Sequence, residues 1–118
     1  MKKLLLVVIT YMISNNLIAQ KILPNEASQH IGDTVTVCGK IYGGKYFEGG
    51  NKITLLNMGD AYPRSPLTLV ITAEDRTHFT NAPEEFYSNK NICITGVVKE
   101  YKGKPQIFIH SEKEITTE

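Results

Sequence analysis

Two short segments, Val35-Thr36-Val37-Cys38-Gly39-Lys40-Ile41 and Ile92-Cys93-Ile94-Thr95-Gly96-Val97-Val98, constrain this chain more than any other feature. Each alternates apolar with small or polar residues, the period of a half-buried β-strand, and each interrupts that alternation at a glycine. Glycine weakens a strand, so inside one it marks a bulge or a tight bend. Two bent strands in a chain of 118 residues predict a small closed barrel, whose strands must coil sharply to shut the sheet.

The N-terminus has the form of an export signal. Lys2 and Lys3 make a basic start, Leu4 to Ile13 is mostly apolar, and Leu17-Ile18-Ala19 before Gln20 supplies a cleavage site. The apolar run is too short to span a bilayer comfortably, and no cysteine follows it to carry a lipid anchor. The expected organisation is a signal peptide over residues 1–19 and one domain over 20–118, with no membrane span once the signal is removed. The destination is the periplasm or the extracellular space, and a monomer is expected.

Charge limits what such a domain can bind. The chain has 13 Lys and Arg against 12 Asp and Glu; losing Lys2 and Lys3 leaves 11 against 12, a net of −1. A nearly neutral domain lacks the global positive field that drives non-specific nucleic-acid binding, so any such activity must come from a local patch. Lys40, Lys45, Lys52 and Arg64 cluster in one stretch and Lys90, Lys99, Lys102 and Lys104 in another, while the acids gather in Glu74, Asp75, Glu84, Glu85 and the tail. Whether those lysines converge or scatter depends on the fold.

Cys38 and Cys93 lie on the phase opposite Val35, Val37, Ile92 and Ile94. In an oxidising compartment they form a disulfide if the strands pair in register; otherwise they are two small thiols that pack. The sequence leaves both open.

Along the chain, Glu26 to Ile31 reads as a single helical turn stopped by Gly32, and a first strand spans about Asp33 to Tyr42. The Gly-rich stretch Gly43 to Asn51 reads as a long loop. Lys52 to Met58 and Pro66 to Ala73 alternate as two more strands. Glu74 to Asn89 reads as a short helix, with Asn81 as its cap and Pro83 in its first turn. A fourth strand over Asn91 to Tyr101, a Lys102-Gly103 hairpin turn and a fifth strand over Pro105 to Ser111 complete the order, before a ragged charged tail.

This order and three groups of residues carry a resemblance. They are Thr36-Val37-Cys38-Gly39-Lys40; Leu55-Leu56-Asn57-Met58-Gly59 leading to Tyr62-Pro63; and Ile92-Cys93-Ile94-Thr95-Gly96 leading to Tyr101-Lys102-Gly103-Lys104-Pro105-Gln106-Ile107. Together they resemble a family of small, often exported bacterial oligonucleotide/oligosaccharide-binding (OB) domains. The resemblance implies an all-β, five-stranded Greek-key barrel with a short helix between strands 3 and 4. It also implies binding across the faces of strands two and three, between the loop after strand one and the loop between strands four and five.

In this chain those loops bring Lys45, Tyr46, Phe47 and Lys52 on one side and Tyr101, Lys102 and Lys104 on the other. Rings interleaved with lysines suit single-stranded nucleic acid or another polyanion, since a base stacks on a ring while ammonium groups meet phosphates. The sheet offers no aromatic platform: its outward residues are read as Thr54 and Leu56 with Thr68, Val70 and Thr72, or as Ile53 and Leu55 with Leu67, Leu69 and Ile71. Tyr62 beside Pro63 reads as a packed turn.

His30, His78 and His110 are scattered, and no nucleophile elbow or phosphate-binding glycine loop occurs. His78 near Glu74 and Asp75 reads as a solvated charged surface. No enzyme activity, metal or cofactor is therefore expected. The expected function is a non-enzymatic exported binding module for single-stranded nucleic acid or another polyanion. The alternative is a protein-interaction or structural module that holds an envelope protein.

Overall fold

The computed structural model describes residues 19–118, and the signal peptide expected over residues 1–19 lies outside them apart from Ala19. Strand β1 (Gln20–Ile22) leads into a 3-10 turn over Pro24–Gln29, then β2 (Thr34–Tyr46), β3 (Thr54–Met58) and β4 (Leu67–Ile71). Two single-turn helices follow, α1 (Ala73–Arg76) and α2 (Pro83–Phe86), then β5 (Asn91–Val97), β6 (Lys99–Tyr101) and β7 (Lys104–Phe108). A second 3-10 turn over Glu112–Glu114 and β8 (Ile115–Thr117) end the chain.

The architecture is all-β in essence, a single eight-stranded sheet ordered β6-β7-β4-β3-β2-β5-β8 with β1 added in parallel to β2. β7 lies parallel to β4, and the other neighbours in that order run antiparallel. The path of ladders is open, in contrast to the expected closed five-stranded barrel. Its first member, β6, nevertheless follows β5 after the single residue Val98.

The ladder between β2 and β5 organises the core. It runs without a register shift from Thr34 opposite Val97 to Lys40 opposite Asn91. Val35, Val37 and Ile41 of β2 and Ile92 and Ile94 of β5 point inward and are buried. Both glycines occupy this inward phase, Gly39 opposite Ile92 and Gly96 opposite Val35.

Of the bulge or tight bend expected at each glycine, the unshifted register rules out the bulge, and each glycine is a point of close approach. A Cβ on Gly39 would lie 2.6 Å from Cγ of Pro24, and one on Gly96 would lie 2.8 Å from Cγ2 of Ile107. Gly39 thus makes room for the ring of the first 3-10 turn, which closes one end of the core with buried Pro24 and Ala27.

The real irregularity lies further along β2, between Ile41 and Gly44, where the register on β3 shifts. Gly43 takes φ +98°, and a Cβ on Gly44 would run into the Leu55 carbonyl oxygen. The strand therefore passes through the glycine pair and ends at Tyr46, four residues beyond the expected end at Tyr42. The expected loop shrinks accordingly.

Other expectations shift for local reasons. The helical segment forms two separate turns, the first capped by Thr72, whose hydroxyl accepts from the Asp75 amide at 3.2 Å. Asn81 caps neither, because Ala82 takes the N-cap position before Pro83. The hairpin turn stands as expected, with Lys102 and Gly103 both at positive φ, the geometry that matches strand twist. The tail is an ordered strand, since β8 pairs with β5 from Ile94–Ile115 to Ile92–Thr117.

Gly39→Ala drives a methyl into a rigid proline ring and is expected to lower stability by about 1–3 kcal/mol. Gly49→Ala, at a site with nothing within 4 Å of the new methyl, is expected to stay within about 0.5 kcal/mol of the parent. Urea denaturation of the two variants checks the contrast; equal losses would mean that the Pro24 contact is not what selects glycine.

Candidate nucleic-acid interface

Register places one face of the sheet outward as two cross-strand rows. Lys45, Leu55, Val70 and Phe108 are successive partners across β2, β3, β4 and β7. Asn57, Thr68, Gln106 and Lys99 are successive partners across β3, β4, β7 and β6. The inward residues are Thr54, Leu56 and Met58 with Leu67, Leu69 and Ile71, all buried. The expected outward sets were therefore each half right: one joined Thr68 and Val70 to inward residues of β3, the other joined Leu55 to inward residues of β4. The relative phase of the two strands is fixed by the turn between them, which strand alternation alone does not reveal.

This face carries a continuous trough made of three adjoining hollows. One is bounded by Lys45, Phe47, Leu55, Asn57 and Tyr62. It meets a second, between Tyr62 and the hairpin residues Tyr101, Lys102 and Lys104, at Leu55, Asn57 and Tyr62. The third, lined by Ile53, Leu55, Val70, Tyr101, Gln106 and Phe108, shares Leu55, Tyr101 and Gln106 with the second. The floor is apolar toward Phe108 and amide-bearing toward Asn57 and Gln106, and the lysines stand at the rims.

Five of the seven residues singled out from the sequence border the trough: Lys45, Phe47, Tyr101, Lys102 and Lys104. Lys52 does not; it sits exposed in the loop at φ 54°. Tyr46 is on the opposite face, because β2 continues to that residue and successive side chains alternate. The structure adds Tyr62, 78% exposed where a packed turn was expected, and Phe108, a ring on the outward face of β7 that a reading confined to the second and third strands of the sequence passes over.

Lysine heads stand over rings along this face. Lys45 Nζ is 4.9 Å from the Phe47 ring centroid, Lys102 Nζ is 5.3 Å from that of Tyr101, and Lys99 Nζ is 5.4 Å from that of Phe108. Each pair offers an ammonium group and a π-face within one contact distance, the two surfaces that a nucleotide's phosphate and base require.

Beneath the end of β2, Tyr46 is held by a buried-edge network. Arg76 lies 3.8 Å over its ring, donates at 2.6 Å to the hydroxyl of fully buried Thr54, and donates at 2.7 and 3.2 Å to both oxygens of Glu84. These bonds hold the Glu84 carboxyl below its ordinary value against the opposing effect of burial, and hold Arg76 charged. The network ties both helical turns to the sheet.

A second polar cluster fastens the C-terminal segment. His110 Nδ1 lies 2.7 Å from Asp75 Oδ2, His78 Nδ1 donates to the His110 carbonyl at 3.0 Å, and Glu112 accepts from the Thr80 amide and hydroxyl. His110 is the main reason that the Asp75 carboxyl is held low. The charged surface around His78 is solvated as expected, and it also tethers α1 to the segment after β7.

Cys38 and Cys93 are directly opposite on the outer face of β2 and β5, and their sulfurs are bonded at 2.02 Å. Among the described residues the one grouping of three metal-ligand types is this pair with Glu118. Two sulfurs bonded to each other are not the thiolates a metal requires.

No protein-family model matches the sequence, and no curated protein matches it. Solved structures do resemble it. An OBody bound to hen egg-white lysozyme aligns with TM-score 0.58 at 17% identity, covering 86% of this chain and 95% of that one. Asparaginyl-tRNA synthetase from Pyrococcus horikoshii aligns with TM-score 0.56 at 14% identity over 85% of this chain and 23% of its own length. A Leishmania major protein assigned as an aspartyl-tRNA synthetase aligns with TM-score 0.52 at 11% identity, over 84% and 20%. The chain spans about a fifth of the two synthetase chains. At these identities the likeness is one of fold, and it is consistent with the OB class. Among the described residues no helix is long and apolar enough to cross a membrane.

Because Glu84 has a lower value folded than its ordinary 4.5, its stabilisation is complete above pH 4.5 and is lost as pH falls through the folded value. Thermal melts taken from pH 5 downward, a range of about two units, should show a steep loss in the parent and a shallower one in Glu84→Gln. Parallel slopes would remove Glu84 from the account of acid sensitivity.

Proposed function

We propose that this chain is a non-catalytic OB-type module that binds single-stranded nucleic acid in the trough across β3, β4 and β7. The observation that carries the reading is the convergence of Lys45, Lys102 and Lys104 on the rims of one apolar-floored trough that also exposes Phe47, Tyr62, Tyr101 and Phe108. A duplex hides its bases, whereas an unpaired strand can lay them on such a floor while its phosphates face the lysines. In this reading β5, Val98 and β6 act as one bent strand, so that five strands form the barrel and β1 and β8 are additions at its margin. The tRNA synthetases among the structural neighbours fit this assignment of class.

Export is part of the proposal. It is supported by Lys2 and Lys3 ahead of the apolar run, and by a bonded cysteine pair of the kind that persists in oxidising compartments.

A second reading, a protein-binding module using the same face, is favoured by one observation. A structural neighbour of nearly the same extent is an OBody bound to a protein, lysozyme. The two readings differ in salt dependence, since phosphate contacts weaken steeply with salt and apolar contacts do not.

Fluorescence anisotropy of the purified protein with a labelled single-stranded oligonucleotide, at low and at moderate salt, decides between them. Binding is expected, with log affinity falling linearly against log salt. In a Lys45→Ala, Lys102→Ala, Lys104→Ala variant the slope should drop by about 0.7 per lysine. Absence of binding at low salt would falsify the nucleic-acid reading.

A further inference from the structure

We propose that the hollow between Tyr62 and Tyr101 is a base-selective subsite that takes one unpaired nucleobase, its faces against the tyrosine rings and its edge against Gln106 and Asn57. This rests on the single-stranded reading above and adds which part of the ligand is recognised chemically.

Tyr62 and Tyr101 are the two most exposed aromatic side chains among the described residues, at 78% and 57%. They come from separate elements, the turn after β3 and the end of β6, yet border the same hollow of about 310 Å³. The Tyr62 turn is shaped by the Asp60 carboxylate accepting from the Ala61 amide at 2.7 Å and by a cis Tyr62–Pro63 peptide. Ring surface left to water on both flanks of one hollow suits a planar ligand, for which stacking needs no directional match.

The floor supplies what stacking lacks. The ladder register sets Asn57, Thr68 and Gln106 side by side across three strands. Asn57 Oδ1 accepts from the Ser65 hydroxyl at 3.3 Å, which leaves its NH₂ to donate. Among the described residues the Gln106 amide makes no side-chain hydrogen bond, although the residue is half-buried on the floor. An amide presents one donor and one acceptor side by side, the complement of the adjacent donor and acceptor on a base edge. A bare phosphate, which only accepts, has no use for the acceptor half.

Charge supports the same orientation. The lining of this hollow carries Lys102 and Lys104 and no carboxylate. A nucleotide therefore enters base first, with its phosphate toward the lysines.

The test uses the purified protein and three single-stranded homopolymers, oligo-dA, oligo-dC and oligo-dT of about twelve nucleotides, with an abasic chain of equal length. The parent should separate the three by several-fold and bind the abasic chain weakest. Gln106→Leu should bring the three within about twofold of one another, since discrimination resides in the amide. Tyr62→Ala, at an exposed position that leaves the fold intact, should weaken all three by about five- to a hundredfold. Equal binding of all four chains by the parent, or an unchanged spread in Gln106→Leu, overturns the subsite while leaving the trough as a nucleic-acid site. Failure of every chain to bind at low salt overturns both.

Discussion

The fit of two glycines under two rigid neighbours is what the remainder of the molecule depends on. β2 and β5 keep an unbroken ladder beneath the first 3-10 turn and β7 because Gly39 leaves room for Pro24 and Gly96 leaves room for Ile107. A side chain at either place would push the first 3-10 turn or β7 outward, and the inward rows of Val35, Val37, Ile92 and Ile94 would lose the neighbours that keep them dry. Loss of close contact, rather than loss of any polar bond, is the failure this core is built to avoid.

The trough lies on the sheet that this ladder anchors. Its rows belong to five strands, and its two sides are delivered from distant parts of the sequence, Lys45 at the end of β2 with Phe47 just beyond it, and Tyr101 to Lys104 from the last hairpin. The Arg76 network works from behind, holding Tyr46 at the end of β2 and its β3 partner Thr54, so that Lys45 and the adjoining Phe47 border the trough beside a braced strand pair. Polar side chains here do two distinct jobs. Those at the back are saturated by each other, and those on the trough floor are not.

What could be read from the sequence followed the strength of each local signal. Alternation located the strands, Lys102-Gly103 marked its turn, and the opposite phase of the cysteines put them on one outer face. Glycine was ambiguous: Gly43-Gly44 has the composition of a loop, yet the pair carries the strand through a bulge, and that difference moved Tyr46 from the interface to the back. Sheet phase was equally hidden, because whether Leu55 or Leu56 faces outward depends on how β3 meets β4 across a turn. Phe108 and Gln106 entered the trough only once β7 was seen beside β4, a pairing between residues about forty positions apart that no local pattern encodes. The short, polar β8 gave no strand signal of its own and exists because β5 offers it an edge.

The bond between Cys38 and Cys93 encloses a stretch of chain with a sequence separation of 55. The loop after β2 and the turn bearing Tyr62 both fall inside that stretch, whereas the Lys102-Gly103 hairpin falls outside it. A protease that cuts either of the first two segments leaves the halves covalently joined, with the ladder between β2 and β5 still pinned. A cut at the hairpin instead frees β7 and β8 from any covalent hold, and takes Gln106 and Phe108 with them. The two sides of the trough are thus unequally insured against nicking: Leu55, Asn57, Thr68 and Val70 lie within the bonded stretch, and Gln106 and Phe108 lie beyond it.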